Sequence, residues 1–380
     1  MSTPLWWRLP GPSSFVDNIV DYFHEGRNVV LCFPEHAPSG LDRAIKSHVN
    51  FDSWYWDTID IEDTQNYRPI DLLYERYACD EDYGFDCAPE KHRSAKKLCT
   101  NEHFAGQIIY IRGMQSHIWP VWREWLIEYE QACRTTSLIE RSVFCVPLYG
   151  EAALDPPPEE VCLSIKQWNN TVDNLDMNIF AGQLLKQRQM SILYRQLAVS
   201  ILSELSLWDF QVTELLAKED IEVILNPYEI LRNLAQERRW DVTDCKQPSW
   251  CQGQKCYFEG EEKIHSALLS LYNNKELDRR IWKAQVRVLM PYIEERRQDL
   301  IISLERYLKV PFTTQYGQLI EKFQDLEIGN IDWQIAPREV LVDPQTKKMV
   351  SKLKQARNLI SHLENVGADL IKDINIDTIV

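Results

Sequence analysis

The sequence predicts an α/β fold: a parallel-sheet N-terminal domain followed by mostly α-helical middle and C-terminal regions. Three observations predict it. Strand-sized apolar runs rich in β-branched or aromatic residues recur through the first 170 positions, helical patterns lie between them, and strand signals largely vanish after Trp168. Such alternation implies parallel strands whose connecting helices cover both faces of the sheet.

In chain order, the first helix is expected at "SSFVDNIVDYFHEG" (13–26), opened by serines and closed by Gly26. Strands follow at "NVVLCF" (28–33), "SWYWDTIDI" (53–61), "GQIIYI" (106–111), "RSVFCVPL" (141–148) and "VCLSI" (161–165). Between the third and fourth lies the helix "HIWPVWREWLIEYEQACR" (117–134), with Trp122, Trp125, Leu126 and Tyr129 on one face. A proline run at 154–160 precedes a domain boundary near 172. Beyond it, helices are expected over 180–205 and 226–240, the latter opening at Asn-Pro. The segment 241–262 reads as a loop with short strands and marks a second boundary. Residues 274–308 form the longest helical stretch, kinked or restarted at Pro291, and 343–374 form the last, with a break at Gly367. The domains so defined are 1–172, 173–261 and 262–380.

Composition narrows the functional classes. A net charge of −15 argues against broad, sequence-independent binding to DNA or RNA, which depends on Lys and Arg neutralising phosphates. Ten irregularly spaced cysteines do not read as a disulfide framework. No stretch approaches 18 consecutive apolar residues, and "MSTPLWWRLPGP" lacks the basic and apolar regions of an export signal. A cytoplasmic chain with no membrane partner is expected. The 13 tryptophans supply large core rings or a contact surface.

The stretch "LCFPEHAPSGLDRAI" (31–45) has the outline of a phosphate-binding loop: strand, Pro- and Gly-containing turn, helix start. A working loop reads G-x-x-x-x-G-K-[ST], because glycines let backbone N–H groups wrap the phosphates, Lys neutralises them and a hydroxyl holds Mg²⁺. With Gly40 on the second glycine, the first falls on Glu35, the Lys on Leu41 and the hydroxyl on Asp42. The strand 106–111 runs into Arg112, Gly113 and Met114, where an acid that handles Mg²⁺ or water is required. Nucleotide hydrolysis by the usual chemistry is therefore not expected, and no cofactor is predicted. The order of elements resembles the AAA+ or STAND class of P-loop NTPases over residues 1–240, with a helical lid after the core. The resemblance implies a degenerate P-loop-like core and carries over no catalytic residue.

"ARNLISHLENV" (356–366) resembles the R-x4-6-H motif of HEPN domains, helical ribonucleases and nucleic-acid-associated modules of bacterial immunity and toxin systems. The resemblance implies that Arg357, Asn358 and His362 would meet their counterparts on a second protomer and cleave RNA without metal. His can exchange protons near neutral pH, and Arg can stabilise a pentavalent phosphate. A five-residue spacing, however, sets Arg357 and His362 roughly 140° apart around a helix.

Two looser sets offer zinc-ligand chemistry: Cys87, His92, Cys99 and His103, and Cys245, Cys251, Cys256 and His265. Neither has the spacing of a finger, and C-x-x-C is absent, so no metal is predicted. The acidic run "CDEDYGFD" (79–86) lacks EF-hand order and reads as a solvated loop. G-x-S-x-G, H-E-x-x-H and G-x-G-x-x-G do not occur. In 278–297, Ile281, Trp282, Val286 and Leu289 form an apolar stripe flanked by Arg279, Arg280, Arg287, Arg296 and Arg297, suited to helix packing or to a partner or RNA.

These features together resemble accessory proteins of bacterial defence islands. The expected role is a non-catalytic adaptor or sensor subunit of an anti-phage complex, with other protein subunits as partners. The alternative is a HEPN-type ribonuclease effector using Arg357, Asn358 and His362 on RNA. A regulator that holds ATP without hydrolysing it stands third.

Overall fold

β1 (Asn28–Phe33) is buried at every position, a pattern a strand shows only when both faces of its sheet are covered. It lies inside a five-stranded sheet of order β2-β3-β4-β1-β5, with β2 (Tyr55–Asp60), β3 (Gln107–Arg112), β4 (Val143–Tyr149) and β5 (Leu163–Gln167). All pairings are parallel: Val29 aligns with Cys145 of β4 on one side and Ser164 of β5 on the other. The computed structural model describes residues 3–49, 54–61, 68–78, 93–138, 141–337 and 339–375. Within it the chain forms two units, Met1–Asp176 with Gln247–His265, and Met177–Lys246 with Ser266–Val380.

Among the described residues, the first unit carries five α-helices before Asn174. α1 (Pro10–His24) has prolines in its first turn, where the missing N–H costs nothing, and buries Phe15, Val16, Ile19, Val20 and Phe23 on one face. α2 (Leu41–His48) follows β1, while α3 (Pro69–Tyr77), α4 (Ala95–Cys99) and α5 (Trp119–Cys133) connect the later strands. Val30 and Cys32 of β1 share a core with α3, α4 and α5. Phe33 faces the other way, its ring centroid 5.8 Å from that of Phe15 on α1. The two-sided cover follows from handedness: β1 crosses to β2 in one direction, and β2 through β5 progress in the opposite direction, so right-handed connections fall on opposite faces. Trp125 stacks on Tyr129 at 5.1 Å and meets Phe144 edge-on at 4.8 Å. The hairpin β6 (Lys255–Phe258) and β7 (Glu261–Ile264) returns to this unit, with the Asn170 N–H donating to the Tyr257 carbonyl at 3.1 Å.

The second unit is helical: α6 (Asn174–Leu185), α7 (Ile192–Ser206), α8 (Phe210–Leu216), α9 (Ile221–Leu225), α10 (Tyr228–Glu237), α11 (Ser266–Leu269), α12 (Asn274–Leu304), α13 (Ile328–Ile335), α14 (Pro344–Ser361) and α15 (Ala368–Ile374). A two-stranded ribbon, β8 (Phe312–Thr313) and β9 (Leu319–Ile320), lies between α12 and α13. Two helices differ from the sequence expectation. The span 180–205 is two helices, because Ser191 caps a fresh start by accepting the Tyr194 N–H. α12 does not restart at Pro291 but continues to Leu304 as one helix; Pro291 is exposed, so water can serve the carbonyl that loses its partner. Among the described residues, no helix is long and apolar enough to cross a membrane.

Candidate functional site

In a parallel sheet, ligands enter the crevice beyond the carboxyl ends of neighbouring strands whose connections leave in opposite directions. Here those strands are β1 and β4, and the loop 34–40 feeds α2 at that point, as a phosphate loop would. Groups of the same unit occupy it. The Glu35 N–H donates to the Cys251 carbonyl at 2.8 Å, and the Ala37 N–H turns back to Pro34. The indole N–H groups of Trp6 and Trp7 both donate to the Ser39 carbonyl, at 3.2 and 2.7 Å. Tyr149, ending β4, stacks on Phe33 at 5.4 Å. Gly40 holds the left-handed conformation (φ 82°) that starts α2, and Pro4 lies against it.

The charges at this crevice are those of a salt bridge. Leu41, at the position of the phosphate-binding Lys, is buried. Asp42, in the first turn of α2, pairs at 3.0 Å with Arg112 at the end of β3, and Asp60 approaches the same guanidinium at 3.6 Å. The positive end of the α2 dipole thus already has its anion. Cysteine chemistry finds no support here either, since burial pushes the Cys32 thiol up to about 12.

The sequence-predicted triad lies on α14 in the second unit, divided between two faces. Asn358 and His362 share a shallow hollow with Ser351, Lys354, Gln355 and Leu359. Arg357 instead lines a groove with Pro291, Glu294, Arg297 and Glu327, where Glu327 receives its guanidinium at 2.8 Å. His362 is the C-cap residue of α14. Its N–H returns to the Asn358 carbonyl, Leu363 takes a left-handed φ of 63°, and the Glu364 N–H reaches the Leu359 carbonyl at 2.9 Å. This is a Schellman turn, which by itself accounts for the local conformation at the His. The cations of α14 are engaged within the unit: Lys348 and Lys352 with Asp373, Lys354 with Asp332 at 2.8 Å, and Lys347 with the Pro337 carbonyl.

Most of the basic stripe of α12 is similarly absorbed, Arg279 remaining exposed. Ile281 and Leu289 are buried, the Trp282 indole donates to the Ile360 carbonyl at 2.8 Å, and Arg287, Arg296 and Arg297 pair with Glu204, Asp299 and Glu294. Of the cysteine and histidine sets, Cys87 and His92 lie outside the described residues, as does the acidic run 79–86. Cys256 Sγ sits 3.6 Å from the Trp168 carbonyl and Cys245 Sγ 3.8 Å from that of Asp241. Among the described residues, no three His, Cys, Asp or Glu side chains are grouped to hold a metal ion.

No protein-family model and no curated protein matches this sequence.

Sequence reasoning passed over a third feature. Phe312, Tyr316 and Trp333 line a groove of 550 Å³ between the β8–β9 ribbon, α13 and α14. The available signal was "PFTTQYGQLI" (311–320), short alternating runs around a Tyr-Gly turn, followed by Trp333 on the side of α13 opposite Ile328, Ile331 and Ile335.

Proposed function

We propose that the chain is a non-catalytic adaptor or sensor subunit of a bacterial anti-phage defence complex, working through protein contacts. The observation that carries the non-catalytic part is the crevice between β1 and β4. Its loop N–H is taken by the Cys251 carbonyl, and the positions for a hydroxyl and an acid hold Asp42 and Arg112, paired with each other. The finer kinship, a degenerate AAA+ or STAND-like P-loop core, belongs to the same proposal. It is supported by the interior place of β1 between β4 and β5, the entry of its loop into α2 at the switch point, and the helices that follow. The defence context rests on resemblance of style.

The second reading, a HEPN-type ribonuclease, draws support from Asn358 and His362 sharing one hollow. Against it stands the engagement of Arg357 by Glu327 on another face.

The test incubates the pure protein with mixed tRNA and mRNA, without divalent metal, beside an Arg357→Ala, His362→Ala double variant. The adaptor reading expects intact RNA with both. Cleavage that vanishes in the folded double variant would overturn it in favour of the ribonuclease.

A further inference from the structure

The groove lined by Phe312, Tyr316 and Trp333 has the makings of a contact site. Trp333 is 64% exposed and Tyr316 88% exposed, although α13 and the β8–β9 ribbon both have buried positions that could have held them. Large rings left in water are what binding surfaces use as anchors, because burying them later releases the hydrophobic gain at small conformational cost. Phe312 supports the arrangement from β8, its ring centroid 5.3 Å from that of Trp333 and tilted by 49°.

Charge identifies the occupant. Asp325 and Glu327 line the groove, and its cation, Lys354, is held by Asp332 at 2.8 Å. Glu327 is held by Arg357, whereas the exposed carboxylate of Asp325 feels the Arg297 guanidinium only through space and forms no hydrogen bond or salt bridge among the described residues. A side chain that satisfies both an open indole face and an exposed carboxylate with no direct hydrogen bond is a cation, attracted by the ring quadrupole and by the acid together. Asn330 and Asn358 line the same groove and offer amides to a peptide backbone. An RNA strand would bring phosphates to this acid and to a chain of net charge −15.

We propose that this groove docks an Arg- or Lys-bearing segment of a partner protein, the cation lying over Trp333 and against Asp325. The proposal rests on the adaptor reading and supplies its partner chemistry.

The test is fluorescence anisotropy of a short labelled peptide alternating Arg and Gly, beside a matched Glu-Gly peptide and a labelled oligouridine. The Arg peptide is expected to bind and the Glu peptide not to. Trp333→Ala should weaken binding about tenfold, the scale of a partly desolvated cation–π contact, and Trp333→Phe should recover part of it. Asp325→Asn should weaken binding severalfold. Glu295→Gln, an equal charge loss at an exposed position of α12 outside the groove, should leave it unchanged. Circular dichroism checks that each variant is folded. Failure of the Arg peptide to bind, equal binding by Trp333→Ala, equal loss in Glu295→Gln, or Trp333-dependent binding of oligouridine each overturns the proposal. The adaptor reading fails separately, on RNA cleavage, so the two failures are distinguishable.

Discussion

Asp42 and Arg112 meet at 3.0 Å across the carboxyl ends of β1 and β3, an acid at the start of a helix answered by a base at the end of a strand. The pair is partly exposed, so its own contribution to stability is small, under about 1 kcal/mol. Its larger effect is on what the crevice accepts. Calorimetric titration of the protein with ATP and Mg²⁺ should give no heat of binding, and the double variant Asp42→Ser, Arg112→Asp should remain silent, because the Glu35 N–H is still held by the Cys251 carbonyl. Low-micromolar affinity in either protein would contradict this.

Leu363 sits at the left-handed position of the Schellman turn that closes α14, with φ 63° and 70% of its surface exposed. A β-carbon is penalised there, and glycine is the residue the turn prefers. Leu363→Gly should therefore stabilise the second unit by about 0.5–1 kcal/mol despite the greater freedom it gives the unfolded chain. Chemical denaturation would show it as a raised midpoint; a lowered one would mean that the Leu side chain makes contacts of greater worth.

Much of the fold was legible. The strands lie where β-branched and aromatic runs stand, most plainly the interior strands β1, β3 and β4, because a strand buried on both faces needs a nearly unbroken apolar sequence, as "VVLCF" (29–33) is. The gap within 180–205 was hidden, since Gln and Arg are good helix formers and only the cap formed by Ser191 reveals the restart. The candidate site was less legible still. Helical spacing did separate Arg357 from His362 by angle, but the pairing of Arg357 with Glu327 joins residues 30 positions apart, and nothing local encodes it. The Trp333 groove depends on a ribbon of two-residue strands, too short for periodicity to register.

Glu327 serves two partners. Its side chain accepts from the backbone of α13's first turn in a capping box with Asn330, and it also receives Arg357. Glu327→Ala should cost about 1–2 kcal/mol and exceed Arg357→Ala, which loses only an exposed ion pair worth under about 1 kcal/mol. Glu327→Gln, keeping an acceptor for the cap, should fall between them. Equal losses for Glu327→Ala and Arg357→Ala in urea unfolding would show that the cap contributes nothing.

The Asp57 carboxyl is pulled in two directions. Burial raises its pKa, but hydrogen bonds from Arg76, Tyr77 and the Thr58 N–H outweigh it and hold the group below the usual carboxylate range. A depressed folded-state pKa gives stability that is complete above the unfolded value, about 3.9, and is lost as pH falls through the folded value. Unfolding midpoints measured from pH 6 down to strongly acid conditions should fall more steeply below about pH 4 in the parent than in Asp57→Asn, whose amide cannot titrate. Parallel acid limbs would exclude Asp57 as a source of acid lability.

Gly11, in the first turn of α1, donates its N–H to Asp176 at 3.1 Å, and any β-carbon there would run into the Thr171 carbonyl oxygen. Gly11→Ala should destabilise the first unit by about 2 kcal/mol, the scale of an overpacked site. A melting temperature equal to that of the parent would mean that the Thr171 turn gives way freely.

The return of residues 247–265 to the first unit sets an order of events during synthesis. When β5 has been made, the carbonyls of Tyr257 and Cys251 that will receive the Asn170 and Glu35 N–H groups do not yet exist. At about 5–20 residues per second, the interval from Asn170 to Tyr257 lasts roughly 4–17 s. Through that window the Glu35 and Asn170 N–H groups lack the partners they have in the folded unit and are left to water. The unit's last tertiary contacts are thus made only after the intervening helical chain has been translated.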